Sequence, residues 1–190
     1  MPDVLPLRKR PIDVVIIIFF LVNVLFVTYI VDFEQIAIPN PVDPVVKNFT
    51  YPVWPPRPFV DMVHWWAKNF DPVILARPAW WKATIWLDAV LFGPYYIAGI
   101  YAFFRGREWI RLPAVICSSI LFTNVFIILS EEIWGAHASP ALSIVLLANA
   151  PWFIFPFIII ARVAKAHPFR AGQRAGSSAG PEPREAEETD

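Results

Sequence analysis

Four apolar runs, at residues 12–31, 83–104, 112–133 and 141–163, constrain this chain more than any other feature. Each has about the 20 helical residues needed to cross the hydrocarbon core of a bilayer. Within lipid a backbone satisfies its own N–H and C=O groups only as a helix or a closed barrel, and runs this long are helices. The expected fold is an all-α membrane protein, a four-transmembrane-helix bundle with a lumenal loop helix. Composition leaves room for little else, since 57% of the 190 residues are hydrophobic and 17% charged. The chain divides into an N-terminus (1–11), a membrane domain (12–165) and a tail (166–190) rich in Gly, Ser, Pro and Glu that reads as disordered. Net charge is zero, so nothing points to a nucleic-acid partner. The single cysteine, Cys117, falls in the third run and has no intrachain partner.

Basic residues orient the bundle. Arg8, Lys9 and Arg10 precede the first run; Arg105, Arg107 and Arg111 fill the second link; Arg162, Lys165, Arg170 and Arg174 follow the fourth run. The third link has Glu131, Glu132 and His137 but no Lys or Arg. Both termini are therefore expected on the cytosolic side. The first link mixes Lys47, Arg57, Lys68 and Arg77 with Glu34, Asp43, Asp61 and Asp71, so the other segments decide. Its sequon Asn48-Phe49-Thr50 falls on the lumenal side in this orientation. The first run is too long for the apolar part of a signal peptide and reads as a retained span.

Prolines 39, 41, 44, 52, 55, 56 and 58 forbid a continuous helix early in the first link. Residues 59–70 lack proline, and Phe59, Met62, Val63, Trp66 and Phe70 recur at helical spacing, predicting a short helix with one apolar face. Asp71-Pro72 ends it. The helix reads either as an anchor on the membrane surface or as a lid over the bundle, and the two readings are compatible. Trp80 and Trp81 stand where an interfacial aromatic belt belongs.

Polar residues inside the runs are the informative ones. Asp13 suits a helix N-terminus. Asp32 is expected at the C-terminal end of the first span, within reach of interfacial water. Asp88 lies five residues into the second run, about 8 Å deep at the helical rise, and should face the bundle interior, protonated or hydrogen-bonded. Asn23, Asn124 and Asn149 lie nearer mid-span, where amides commonly join helices. Gly93-Pro94, Pro151 and Pro156 interrupt backbone hydrogen bonds, which is tolerated where protein or a cavity satisfies the freed groups. Glu131 and Glu132 are expected to cap the bundle surface. The three histidines lie outside the runs and far apart, and no metal, phosphate or nucleophile motif is present.

Several stretches occur together in family order: Val31-Asp32, Trp65-Trp66-Ala67-Lys68-Asn69-Phe70-Asp71-Pro72, Pro78-Ala79-Trp80-Trp81-Lys82, Tyr101-Ala102-Phe103, Trp109-Ile110-Arg111-Leu112-Pro113-Ala114, Ala150-Pro151-Trp152 and Pro156-Phe157. In these the chain resembles the sigma-2 receptor (transmembrane protein 97) family and its fungal efficient-mitochondria-targeting relatives, within the EXPERA superfamily that also contains a sterol isomerase. The resemblance implies a multi-pass endoplasmic-reticulum membrane protein with cytosolic termini, a homodimer, and an intramembrane pocket for sterols and cationic amphiphiles. It implies that Asp32 pairs with a ligand amine, that Asp71 supports it and that Asp88 is a third acid. Trp66, Phe70, Asn124 and Asn149 complete the implied ligand-binding set. Trp66 stands in place of a family tyrosine, Asn124 and Asn149 in place of threonine and tyrosine, and the tail lacks a lysine-rich end.

The implied function is non-enzymatic binding of sterol, cationic amphiphile or membrane lipid, affecting sterol handling or protein traffic, with no cofactor. The alternatives are a sterol isomerase-type enzyme, or a quality-control or scaffold factor for mitochondrial precursor targeting. Isomerisation needs a buried acid and a buried base. The isomerases of this fold use a histidine and glutamates within the helices, and here no run contains histidine.

Overall fold

The computed structural model describes residues 4–40 and 49–170. Asn48 of the sequon and residues 171–190 of the tail lie outside the described residues. Four of the described helices are long and apolar enough to cross a membrane: α1 (Pro11–Ala37), α4 (Ala79–Arg105), α5 (Glu108–Trp134) and α6 (Leu142–Val163). Two shorter helices, α2 (Arg57–Asn69) and α3 (Pro72–Ala76), stand in the first loop. The architecture is the four-helix membrane bundle.

Local chemistry explains the helix ends. Pro11, Pro58 and Pro72 stand in the first turns of α1, α2 and α3, where a missing N–H costs nothing. Gly106, at φ 65°, closes α4 in the left-handed conformation that glycine adopts without strain. The mid-helix irregularities are wide π-turns at Asn23–Asp32 in α1 and Asp88–Phe92 in α4. The second immediately precedes Gly93-Pro94, where Pro94 has no N–H to continue the regular ladder. Pro151 and Pro156 remain inside α6.

α1 runs on to Ala37, so Asp32 is not at its C-terminal end as expected but five residues before it. Trp80 and Trp81 open α4 rather than preceding it, and Trp81 is buried, donating its indole N–H to Gln35 Oε1 at 2.6 Å. The inward face of α2 is also rotated from the expected one. Val60, Val63, His64 and Ala67 are buried, whereas Phe59 and Met62 are exposed.

An aromatic core fills the half of the bundle nearer the termini. Phe19 stacks on Phe155 at 4.1 Å between centroids, and Phe20 packs on Tyr95, Tyr96 and Phe103. At that end Asp13 is fully buried between Arg10 (2.6 Å) and Arg162 (2.6 and 2.9 Å), tying α1 to α6. Arg10 also donates to the Phe103 and Phe104 carbonyls at the negative end of α4. Phe169 is buried beneath both arginines, so the chain stays with the bundle past the fourth span. A second cluster at the loop end joins Val63, Ala67, Val73, Ile74, Trp81 and Ile85. A cavity lies where the two clusters meet.

Candidate functional site

The cavity holds about 430 Å³. Its walls are Phe26, Val27, Val31, Asp32 and Gln35 of α1; Met62, Val63, Trp65 and Trp66 of α2; Asp71 and Ile74; Trp81, Thr84, Ile85 and Asp88 of α4; Leu121, Asn124, Val125 and Ile128 of α5; and Ala148, Asn149 and Trp152 of α6. Asp32, Asp71, Asp88, Trp66, Asn124 and Asn149 are thus brought to one space from six elements. Phe70 is not among the lining residues. It packs behind Trp65 and Trp66, with ring centroids 5.3 and 4.8 Å away, and so backs the wall rather than forming it.

The acids are held differently. Asp88 accepts a hydrogen bond from Thr28 Oγ1 at 2.6 Å across the α1–α4 seam. Asp32 is only 7% exposed, so the expectation that it reaches interfacial water does not hold; α1 continues past it and α2 covers it. Asp71 stands at the N-terminus of α3, where burial pushes its carboxyl above the usual range while contacts with Glu132, the Trp66 indole and the Val73 and Ile74 N–H groups pull it back. Asp71, implied to support Asp32, lines the same cavity, and Glu132 is the carboxyl that stands against Asp71 from α5.

Glu132 is the main correction to the sequence reading. Glu131 does cap the α5–α6 loop, accepting from the His137 backbone N–H at 2.9 Å and meeting its Nδ1 at 2.7 Å. Glu132, expected beside it at the surface, is buried. Thr28, Gln35 and Trp152 were also missed. The Trp152 indole donates to Asn23 Oδ1 at 2.7 Å and closes the α1–α6 seam below the cavity.

A separate buried network fixes the lid. Glu34 of α1 meets His64 Nε2 of α2 at 2.7 Å and Arg77 Nη2 at 3.3 Å. Arg77 also donates to the carbonyls of Ile38 (2.7 Å) and Ile74 (3.1 Å). Burial pulls the Arg77 guanidinium below its usual value, and Glu34 opposes that. Ser139 Oγ in the α5–α6 loop donates to the Phe70 carbonyl at 2.6 Å, holding the other end of α2. The lid reading of α2 therefore has a physical basis, and Met62 and Trp65, both cavity-lining and exposed, mark the cavity's open side.

Three carboxyls in an apolar enclosure, with no Lys, Arg or His among the described lining residues, suit a cation on an apolar body. Residues 58–163, from the start of α2 to the end of α6, match the family described as EBP: EXPERA (EXPanded EBP superfamily). The chain belongs to the EXPERA superfamily. Among the chain's EXPERA relatives is the human protein named Sigma intracellular receptor 2, 30% identical over 131 residues that span 61% of this chain and 72% of that protein. The Macaca fascicularis protein of that name is 29% identical over the same extent. The Xenopus tropicalis protein is 32% identical over 82 residues, 42% of this chain, and the match spans about half of that relative (48%). The EXPERA match begins after α1, so Asp32 lies outside it, whereas Asp71 and Asp88 lie within it.

Proposed function

We propose that this protein binds sterols and cationic amphiphiles in the cavity between α1, α2 and the other spans, without catalysing a reaction on them. One observation carries the reading: Asp32, Asp71 and Asp88 converge on an otherwise largely apolar space. Its volume, about 430 Å³, falls in the range of small-molecule pockets. A protonated amine pairs with the carboxylates while Trp66, Trp81 and the aliphatic walls cover the rest; a sterol fills the same walls and sets its hydroxyl against the polar groups. The protein works in the endoplasmic-reticulum membrane with both termini cytosolic, as a homodimer, and its ligand occupancy affects sterol handling or protein traffic. The relatives named as receptors support binding rather than turnover.

Lipid mass spectrometry on the detergent-purified protein tests this. A sterol or amphiphilic amine should co-purify with the wild type and be depleted from a variant with the cavity filled, Ala148→Phe. Equal lipid profiles for the two proteins would contradict the reading. Restoration of normal sterol products in cells lacking a sterol isomerase would instead favour an enzyme.

A further inference from the structure

Glu132 lies near the end of α5, 1% exposed, and the mechanism above does not use it. Both of its carboxyl oxygens and Asp71 Oδ1 are buried with no hydrogen-bond partner among the described residues, and the two carboxyls stand against each other. The backbone puts them there. Ser139 donates from its N–H to the Glu132 carbonyl at 3.0 Å and from its Oγ to the Phe70 carbonyl at 2.6 Å, clamping the chain next to Asp71 against the turn that carries Glu132. Two carboxylates cannot hold such a contact, because an ionised carboxylate only accepts; one of the pair must carry a proton.

The surroundings say which one. Asp71 has the Trp66 indole and the Val73 and Ile74 N–H groups around it, all donors that suit a carboxylate. Glu132 has no such donors, and its other charged neighbour is Glu131, whose carboxylate is engaged by His137. On the cavity wall Asp71 is joined by Asp32 and Asp88, which bring no cation to it. We propose that Glu132 is a positioning residue for the ligand site, a neutral carboxylic acid that donates its proton in a hydrogen bond to Asp71 Oδ1 and fixes Asp71 as the carboxylate on the lid wall. The cation then meets a carboxylate held from behind, with α5 setting the position of a group that belongs to the first loop. The positioning role rests on the ligand reading above; the shared proton does not.

Two measurements on purified protein in nanodiscs test the two halves. Infrared difference spectra of wild type against Glu132→Gln, without ligand, should show the C=O stretch of one buried protonated carboxyl lost in the variant; spectra that show no such loss overturn the proposal. Binding of tritiated dodecyltrimethylammonium, whose charge does not vary with pH, should be within about threefold of wild type in Glu132→Gln, whose amide N–H replaces the donor, and about tenfold weaker in Glu132→Leu, which fills the space without donating. Equal affinity in the Gln and Leu variants reduces Glu132 to packing and overturns the positioning role. Failure of the wild type itself to bind the probe overturns the ligand reading and the positioning role together, while the infrared band still reports the proton.

Discussion

Thr28 Oγ1 and Asp88 Oδ1 meet at 2.6 Å, each inside a wide π-turn of its own span. The two irregular segments face each other across α1 and α4, and this bond joins them at the cavity wall. It satisfies one oxygen of a carboxyl placed deep in a span, where an unsatisfied acid is costly. Thr28→Val keeps the shape and removes the donor, so it should destabilise the protein by about 1–3 kcal/mol, whereas Thr28→Ser should restore most of the loss. Thermal unfolding of the purified variants measures this, and a Val variant as stable as wild type would contradict it.

Close helix approach depends on Gly99. A Cβ there would meet the Phe20 ring at 2.6 and 2.9 Å, and Phe20 is fully buried among Tyr95, Tyr96 and Phe103. Gly99→Ala should therefore cost about 1–3 kcal/mol by overpacking, in spite of alanine's better helix propensity. The same unfolding assay detects it; a stabilised variant would show that the helices separate freely.

The lid is locked by charge. Removing the Glu34 carboxylate leaves Arg77 buried without its counter-ion, a loss of about 3–5 kcal/mol for a buried pair. Glu34→Gln should open α2 first, because His64 is its link to α1. Hydrogen exchange should accelerate in Arg57–Asn69 more than in Leu142–Val163, and uniform acceleration would argue against a separate latch.

Burial raises the Asp71 carboxyl above its ordinary value, so the folded protein binds a proton more tightly there than the unfolded chain does. The associated stability is complete below the ordinary aspartate value of about 3.9 and is lost as pH rises through the raised value in the folded state. Asp71→Asn should flatten that part of the profile. Melting temperature against pH for both proteins checks the sign, and a wild type that gains stability over this window through Asp71 would contradict it.

Hydropathy showed the bundle in the sequence, since four spans of about 20 apolar residues admit few folds. Asp88 was legible for the same reason, because its depth in a run required an interior partner. Glu132 was not. Successive helical residues are about 100° apart, so Glu131 turns to the loop and Glu132 to the interior, a distinction that a pair of acids at the end of a run does not display. The α2 face was misread because Phe59 and Met62 share its periodicity yet are exposed, while His64, polar in sequence, is buried by its pairing with Glu34. Asp71's partner comes from a span sixty residues away, a contact that no local pattern encodes.

The central claim is that the cavity acids, Asp32 foremost, recognise positive charge on an apolar ligand. The most direct measurement compares Asp32→Asn with wild type for tritiated dodecyltrimethylammonium and for tritiated cholesterol in the same nanodiscs. The charge partner disappears while the shape of the cavity remains, so affinity for the cation should fall by about tenfold or more and affinity for the sterol by less than about threefold. Cation affinity within about threefold of wild type, under roughly 0.7 kcal/mol, would contradict the assignment of the site.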